Sequence, residues 1–322
     1  MFIALAPMEG VVDAVMRDLL TSVGGIDQCT TEFVRVTDRE IPDHVFHKYC
    51  PELLSGGKTP SGVPVYVQLL GGKPEWLAIN ALRAYELGAP GIDLNFGCPA
   101  KTVNRHDGGA TLLKNPHRLF DVIFAVRKAV PPECPVTAKV RLGFADKSLA
   151  IEIAQAVDQA EASRLTIHAR TRAEGYQPPA HWEYIGLMRE AVQVPVVANG
   201  DIWNAKEYDL CVKASGCRDV ALGRPLIAFP DLAQLLKTHS QGKTHSPLKW
   251  QEIQHQLLVP FLDRCENDRH QNFALNRGKQ WLRQLARHYP EADALFALVK
   301  TCPTLADLRK GIKAALTETR LI

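Results

Sequence analysis

The chain has 322 residues, 46% apolar and 23% charged, with a formal net charge of +3. That length carries one large domain and a smaller one, and that composition excludes a disordered, collagen-like or disulfide-stapled chain. The apolar stretches fall short of the roughly 20 residues of a membrane helix, and the opening MFIALAPMEG has no basic start of a secretory signal, so a buried first strand in a cytoplasmic protein is expected.

Short apolar or β-branched runs recur along the first three quarters of the chain: Phe2–Ala6, Gln28–Val34, Val63–Leu70, Gly91–Asn95, Val136–Arg141, Arg164–His168, Val194–Asn199 and Asp219–Leu222. Amphipathic stretches such as Pro74–Leu87, Pro116–Val130, Leu149–Glu161 and Ala205–Ala214 lie between them. Runs that are continuously apolar, not alternating, predict parallel strands covered by helices. Eight such strand–helix units in residues 1–240 predict an α/β fold of the TIM (β/α)8 barrel type. An open doubly wound sheet would carry a Gly-rich fingerprint after its first strand. Here that place holds Ala6-Pro7-Met8-Glu9-Gly10.

The pattern changes near residue 238. THSQGKTHSP (238–247) reads as a linker, and helical periodicity follows over Leu248–Cys265, Asn272–His288, Glu291–Thr301 and Thr304–Thr319. Residues 241–322 are therefore expected to form an all-α helical bundle. Residues 243–322 hold 13 Lys and Arg against 8 Asp and Glu, while residues 1–242 hold 25 against 27. A basic tail on a slightly acidic body points to a polyanionic partner, with a solvated helical face as the plainer alternative. The eight Cys show no CxxC and no regular spacing, which argues for reduced thiols and against a metal site.

In a barrel of this kind, function collects at the C-terminal ends of the strands. Those ends carry polar residues nearly all the way round: Met8-Glu9, Arg35, Gln68, Asn95, Lys139 and Arg141, His168, Asn199-Gly200-Asp201, and Gly223-Arg224. Glycines after the last two strands let backbone N–H groups approach a phosphate, and Arg224 adds a charge. A cofactor anchored there would lie across the barrel mouth, where Gln68 and Lys139 meet its ring and a cation suits an isoalloxazine. The plainer readings are a structural hydrogen bond for Gln68 and an ion pair in the barrel core for Lys139. Cys98, three residues past a strand end, is either a nucleophile or a proton donor. A nucleophile wants a neighbouring base and an oxyanion hole, while a donor needs only reach and a suitable thiol pKa. His168 reads as a second base or a ring contact.

The ordered set Ala6-Pro7-Met8, Asn95-Phe96-Gly97-Cys98-Pro99, Lys139-Val140-Arg141, His168-Ala169-Arg170-Thr171-Arg172, Asn199-Gly200-Asp201-Ile202 and Gly223-Arg224 resembles the tRNA-dihydrouridine synthases. Pro7-Met8-Glu9-Gly10-Val11, Glu32-Phe33-Val34-Arg35-Val36 and Asn104-Arg105-His106-Asp107-Gly108-Gly109 resemble the bacterial branch that acts on position 16 of the tRNA D-loop. Two positions depart from the family pattern: Ala169, where the family often has Gly, and Gly109, where many members have Ser.

The resemblance implies an FMN-binding catalytic barrel over residues 1–240 and a tRNA-recognition domain over 241–322. It implies FMN as bound cofactor, NADPH as reductant, and saturation of the C5–C6 bond of a tRNA uridine, with hydride to C6 and a proton from Cys98 to C5. Pro7, Met8, Glu9, Gln68, Lys139, His168, Asn199, Gly200, Asp201, Gly223 and Arg224 match FMN-binding positions. Asn95 and Arg141 match positions near the target uracil, which must be flipped out of the tRNA to react. Arg35, Arg170, Asn276, Arg277 and Lys279 are the expected contacts to the D-loop and elbow of the tRNA. The protein is expected to be a monomer without metal. Two rivals stand beside this reading: a dihydroorotate dehydrogenase-like FMN barrel acting on a small pyrimidine, and a non-catalytic RNA-binding protein.

Overall fold

A computed structural model describes residues 1–100 and 108–318; Asn104-Arg105-His106-Asp107 of the quoted loop lies outside the described residues. The strands are β1 (Ile3–Leu5), β2 (Gln28–Thr30), β3 (Val34–Arg35), β4 (Val65–Leu70), β5 (Ile92–Asn95), β6 (Val136–Arg141), β7 (Arg164–His168), β8 (Val196–Asn199) and β9 (Val220–Leu222). Eight of them close a parallel barrel. β1 pairs with β2 and β9, β2 pairs with β4, and β4 to β9 follow in chain order. This is the predicted (β/α)8 barrel.

The predicted second strand divides into β2 and β3 for a local reason. The Gln68 amide donates to Thr31 Oγ1 at 3.0 Å, so a side chain takes the place of a ladder carbonyl and the strand breaks. The chain rejoins the sheet three residues after Thr31, with Val34 opposite Leu69 and Arg35 opposite Leu70.

Register decides which side chains face the barrel axis, because successive residues of a strand point to opposite faces. Gln68 lies beside Asp93, which lies beside Thr137, then Arg164; Asn95 lies beside Lys139, then Thr166; Arg141 lies beside His168, then Asn199. The alternate positions Ile92, Leu94, Val136, Ala138 and Val140 face outward and are sealed under the helices. Each large aliphatic side chain buried there contributes about 1.5–3 kcal/mol. The axis itself is small and polar. Ala4, Ala6, Val197 and Ala221 form its only purely apolar cluster among the described residues, and a cavity beside them is lined by Asp93, Thr137, Lys139 and Thr166. Barrels of this type usually fill that space with branched aliphatics.

The chain divides into two compact units, Met1–Arg17 with Ile26–Gly223, and Asp18–Gly25 with Arg224–Ile322. The polar stretch 238–247 lies inside the second unit. Within that unit Gly25 has φ +83°, and a Cβ there would come within 2.6 Å of the Gln234 backbone nitrogen, so the segment Asp18–Gly25 is held by contacts only glycine permits. The helices Val259–Asp268 and Gln271–Leu285 pack through Phe261 and Trp281, edge to face at 4.6 Å. A single π turn, Gln254–Leu258, interrupts the predicted helix Leu248–Cys265 just before Pro260. Pro260 has no N–H to donate and its ring crowds the preceding turn, so the helix widens there. Among the described residues no helix is long and apolar enough to cross a membrane.

Candidate active site

Four side chains and one backbone amide are wired together inside the barrel. Gln68 Nε2 donates to Asp93 Oδ2 at 2.7 Å, and Thr137 Oγ1 lies 2.5 Å from Asp93 Oδ1. Asn95 Nδ2 donates to Gln68 Oε1 at 2.8 Å, and the Gly97 amide donates to Asn95 Oδ1 at 2.9 Å. Gln68 is fully enclosed, Asn95 half-buried. Burial pushes the Asp93 carboxyl above the usual carboxylate range, against the opposing hydrogen bonds of Gln68 and Thr137.

Cys98 follows, 8% exposed, packed against Leu70, Phe33 and Ala100 at the ends of β4 and β5. Burial pushes its thiol above the ordinary range, a rise that the Ala100 backbone and the charges of Arg141 and Lys139 only partly offset. A thiol so placed keeps its proton at neutral pH. That suits an acid and disfavours a nucleophile, since the thiolate is the nucleophilic form.

Lys139 stands beside Asn95 in the register, half-buried. Burial and then the neighbouring Arg141 push its ammonium down to about 8. A cation under that strain is favoured by an arriving anion. Arg141 itself is enclosed. Its Nε donates to Gly97 O at 2.8 Å and its Nη1 to Thr171 O at 3.1 Å and Gly175 O at 2.8 Å, so one guanidinium ties the Cys98 loop to the loop after β7. The second loop is braced by Glu174, which accepts from the Thr171 amide at 2.7 Å and from Lys147 Nζ at 2.6 Å.

The turns after β8 and β9 each carry a glycine, and the first of them needs it. Gly200 has φ +126°, and a Cβ there would meet His168 Cδ2 at 3.3 Å; a Cβ on Gly223 would meet Met8 Sδ at 3.4 Å. Asn199 Nδ2 donates to Ala221 O at 2.6 Å, and Trp182 Nε1 to Gly200 O at 2.8 Å, fixing both turns. Pro7 and Met8 are half-buried after β1 and Glu9 is exposed. Pro7 lines the same cavity as Lys139. Arg224 opens the second unit, half-buried at the start of the helix Arg224–Ala228.

The expected RNA contacts differ in their surroundings. Arg170 is fully enclosed, pairs with Asp201 and donates to Gln177 O, which ties it to the turn after β8. Arg277 is 7% exposed, with its guanidinium 5.4 Å from the Phe261 ring centroid and bonded to Gln280. Its position falls on the packed face of its helix. Asn276 on the same helix is exposed, and half-buried Lys279 donates to Cys302 O at 2.6 Å. Arg35 on β3 is exposed.

Two residues escaped the sequence reading. Asp93 sits in a strand that reads as apolar, although the two-residue spacing of Asp93 and Asn95 puts both on one face. Tyr176 is 54% exposed on the loop after β7, 5.8 Å from the His168 ring and 5.3 Å from the Arg141 guanidinium. An aromatic residue in the Gly175-Tyr176-Gln177-Pro178 run was its only signal.

Comparison with known proteins gives the same direction. A family model described as dihydrouridine synthase matches residues 4–314. A Shewanella oneidensis protein named tRNA-dihydrouridine(16) synthase is 50% identical over 315 residues, 98% of each chain. A Pseudomonas putida protein of the same name is 48% identical over 320 residues, 99% of each chain. Among solved structures, histamine dehydrogenase from Rhizobium sp. 4-9 matches with a TM-score of 0.55 at 16% identity, over 75% of this chain and 46% of that one. The old yellow enzyme homologue from Zymomonas mobilis matches with a TM-score of 0.51 at 15% identity, over 76% and 90%. At such identities the structural likeness speaks for the barrel alone.

Proposed function

This chain belongs to the dihydrouridine synthase family, and on that premise we propose that it reduces the C5–C6 double bond of the uridine at position 16 of tRNA to 5,6-dihydrouridine. The rival readings, a barrel for a free pyrimidine and an inactive RNA-binding protein, give way to relatives that share nearly the whole chain and carry the tRNA enzyme's name.

The cofactor is FMN and the reductant NADPH. The residues fit a flat anionic group: two turns kept open by Gly200 and Gly223 for its phosphate, and a half-buried Lys139 whose charge wants a counter-ion. Pro7, Met8, Glu9, Gln68, Lys139, His168, Asn199, Gly200, Asp201 and Gly223 would hold it. When bound and reduced, the flavin supplies the hydride that uracil C6 accepts.

The chain's own residues do the rest. Asn95 and Arg141 border the place of the extruded uracil, and Arg141 and Asn95 together hold the loop that carries Cys98. As C6 gains hydride, charge moves onto the C4 carbonyl and C5, and Cys98 Sγ gives its proton to C5. The single observation that carries this reading is a buried thiol, Cys98, on the loop directly past Asn95, where burial favours the protonated form. Tyr176 offers a face on which a base stacks. Arg35, Asn276 and Lys279, with the helical region 241–322, contribute RNA contacts.

Mapping dihydrouridine in tRNA from cells lacking the protein tests this. Position 16 should be unmodified, restored by the wild-type chain and not by Cys98→Ala. Dihydrouridine at position 16 in the deleted strain would end the proposal.

A further inference from the structure

The hydrogen-bond chain inside the barrel has a direction, and something must set it. Side-chain amides are nearly symmetric in shape, so Gln68 and Asn95 can each turn over at little steric cost. Their orientation is decided by what stands at the ends. At the inner end, Asp93 Oδ2 accepts, so Gln68 must present Nε2, at 2.7 Å. Gln68 Oε1 is then left for Asn95 Nδ2, at 2.8 Å. Asn95 Oδ1 is left in turn for the Gly97 amide, at 2.9 Å. Arg141 Nε holds the carbonyl of the same residue at 2.8 Å, so the peptide units on both sides of Gly97 are fixed immediately before Cys98.

We propose that Asp93 is a positioning residue for the reaction: as the acceptor at the closed end, it sets the direction of the chain Gln68–Asn95–Gly97 and so the place of the loop that presents Cys98. The reversed chain fails twice. Gln68 Oε1 would face a carboxylate oxygen, acceptor against acceptor, and Asn95 Nδ2 would face the Gly97 N–H, donor against donor. Thr137, at 2.5 Å from the other carboxylate oxygen, holds the carboxyl in its plane. Asp93 itself is 5% exposed and lies one register position in from Asn95, so it acts through the amides and touches no reactant. The fixed direction has a second effect. Asn95, half-buried, offers a defined donor and a defined acceptor, which an amide free to turn would not. The inference rests on the proposed role of Cys98 only for its effect on turnover.

Asp93→Asn is the test, because it keeps the shape and puts a group that can also donate at the closed end, which removes one of the two conflicts that hold the chain in its direction. In the flavin-loaded protein, hydrogen exchange at the Gly97 amide should rise about tenfold, as expected for one lost buried hydrogen bond. Alkylation of Cys98 by iodoacetamide, read by peptide mapping, should rise severalfold while that of Cys302 stays constant. Turnover should fall about tenfold or more with KM for tRNA changed less than about threefold. Wild-type exchange at Gly97 in a folded Asp93→Asn protein overturns the proposal. Should that variant not fold, Gln68→Met cuts the same chain one link later, and unchanged Gly97 exchange there overturns it equally. A fully active Cys98→Ser sinks the acid assignment of the preceding section, whatever Gly97 does.

Discussion

Arg141 Nε donates to the carbonyl of Gly97 at 2.8 Å, one residue before Cys98. The same guanidinium reaches Thr171 O and Gly175 O, so three carbonyls on two loops, two buried and one half-buried, depend on one side chain. Arg141→Met would keep the stem and orphan those acceptors. A loss of about 2–4 kcal/mol is expected in urea unfolding. Flavin content should survive in the folded fraction while turnover falls, because the Cys98 loop loses its anchor.

Cys98→Ala should bind flavin and tRNA as the wild type does and lose about 10²–10⁴-fold in the protonation step, the usual contribution of a positioned acid. The pH profile separates this from a packing effect. Burial raises the thiol pKa, so the protonated, active form persists through neutral pH and is lost only on the alkaline side of the ordinary thiol range. Single-turnover rates of the wild type should therefore fall on that alkaline side, and the alanine variant should show no such limb.

The fold was legible because its signals are long-range and redundant. Each of the eight predicted runs contains an observed strand, since strands buried on both faces keep an apolar character that turns and helices interrupt. The candidate site was nameable where chemistry and position coincide: Cys98 and the Gly200 and Gly223 turns follow strands, and Lys139 lies within β6. The surroundings of the arginines were not legible. Arg170 and Arg277 carry the same charge in the sequence as Arg35, and only packing reveals that the first closes on Asp201 and the second on Phe261. Asp93 was hidden for the opposite reason. Its neighbours Ile92 and Leu94 face the helices, and a polar barrel axis departs from the usual pattern for this architecture.

FMN affinity should weaken as pH rises above about 8, where Lys139 in the free protein loses its proton. The sign follows from linkage: an anion favours the charged lysine, so binding takes up a proton between the free and the bound pKa, and affinity falls up to about tenfold per pH unit in that window. Lys139→Met should bind more weakly below pH 8 and show a flat profile there. Fluorescence titration of released flavin reads both.

Glu174 ties acid stability to the loop after β7. Burial alone would raise its pKa, but the Lys147 ammonium and the Thr171 amide outweigh it and hold the carboxyl down at about 2. A carboxylate lower in the folded than in the unfolded chain contributes stability above its unfolded pKa, about 4.3, and loses it as pH falls towards 2. Glu174→Gln should lower the melting temperature at pH 7 and remove part of the decline between pH 4.5 and 2. Parallel melting curves across that range would expose a Glu174 without such a role.

Tyr176 separates binding from chemistry. Its ring is 54% exposed beside His168, with the Arg141 guanidinium 5.3 Å from its centroid, so one face is supported and the other is open. A base stacked on such a ring contributes about 1–3 kcal/mol. Tyr176→Ala should therefore raise KM for tRNA about 5- to 150-fold with kcat changed little, while Tyr176→Phe, which keeps the ring, stays near wild type. Because the phenol hydroxyl is not needed for stacking, a phenylalanine variant as impaired as the alanine one would show that Tyr176 serves through its hydroxyl, and the stacking assignment would fall.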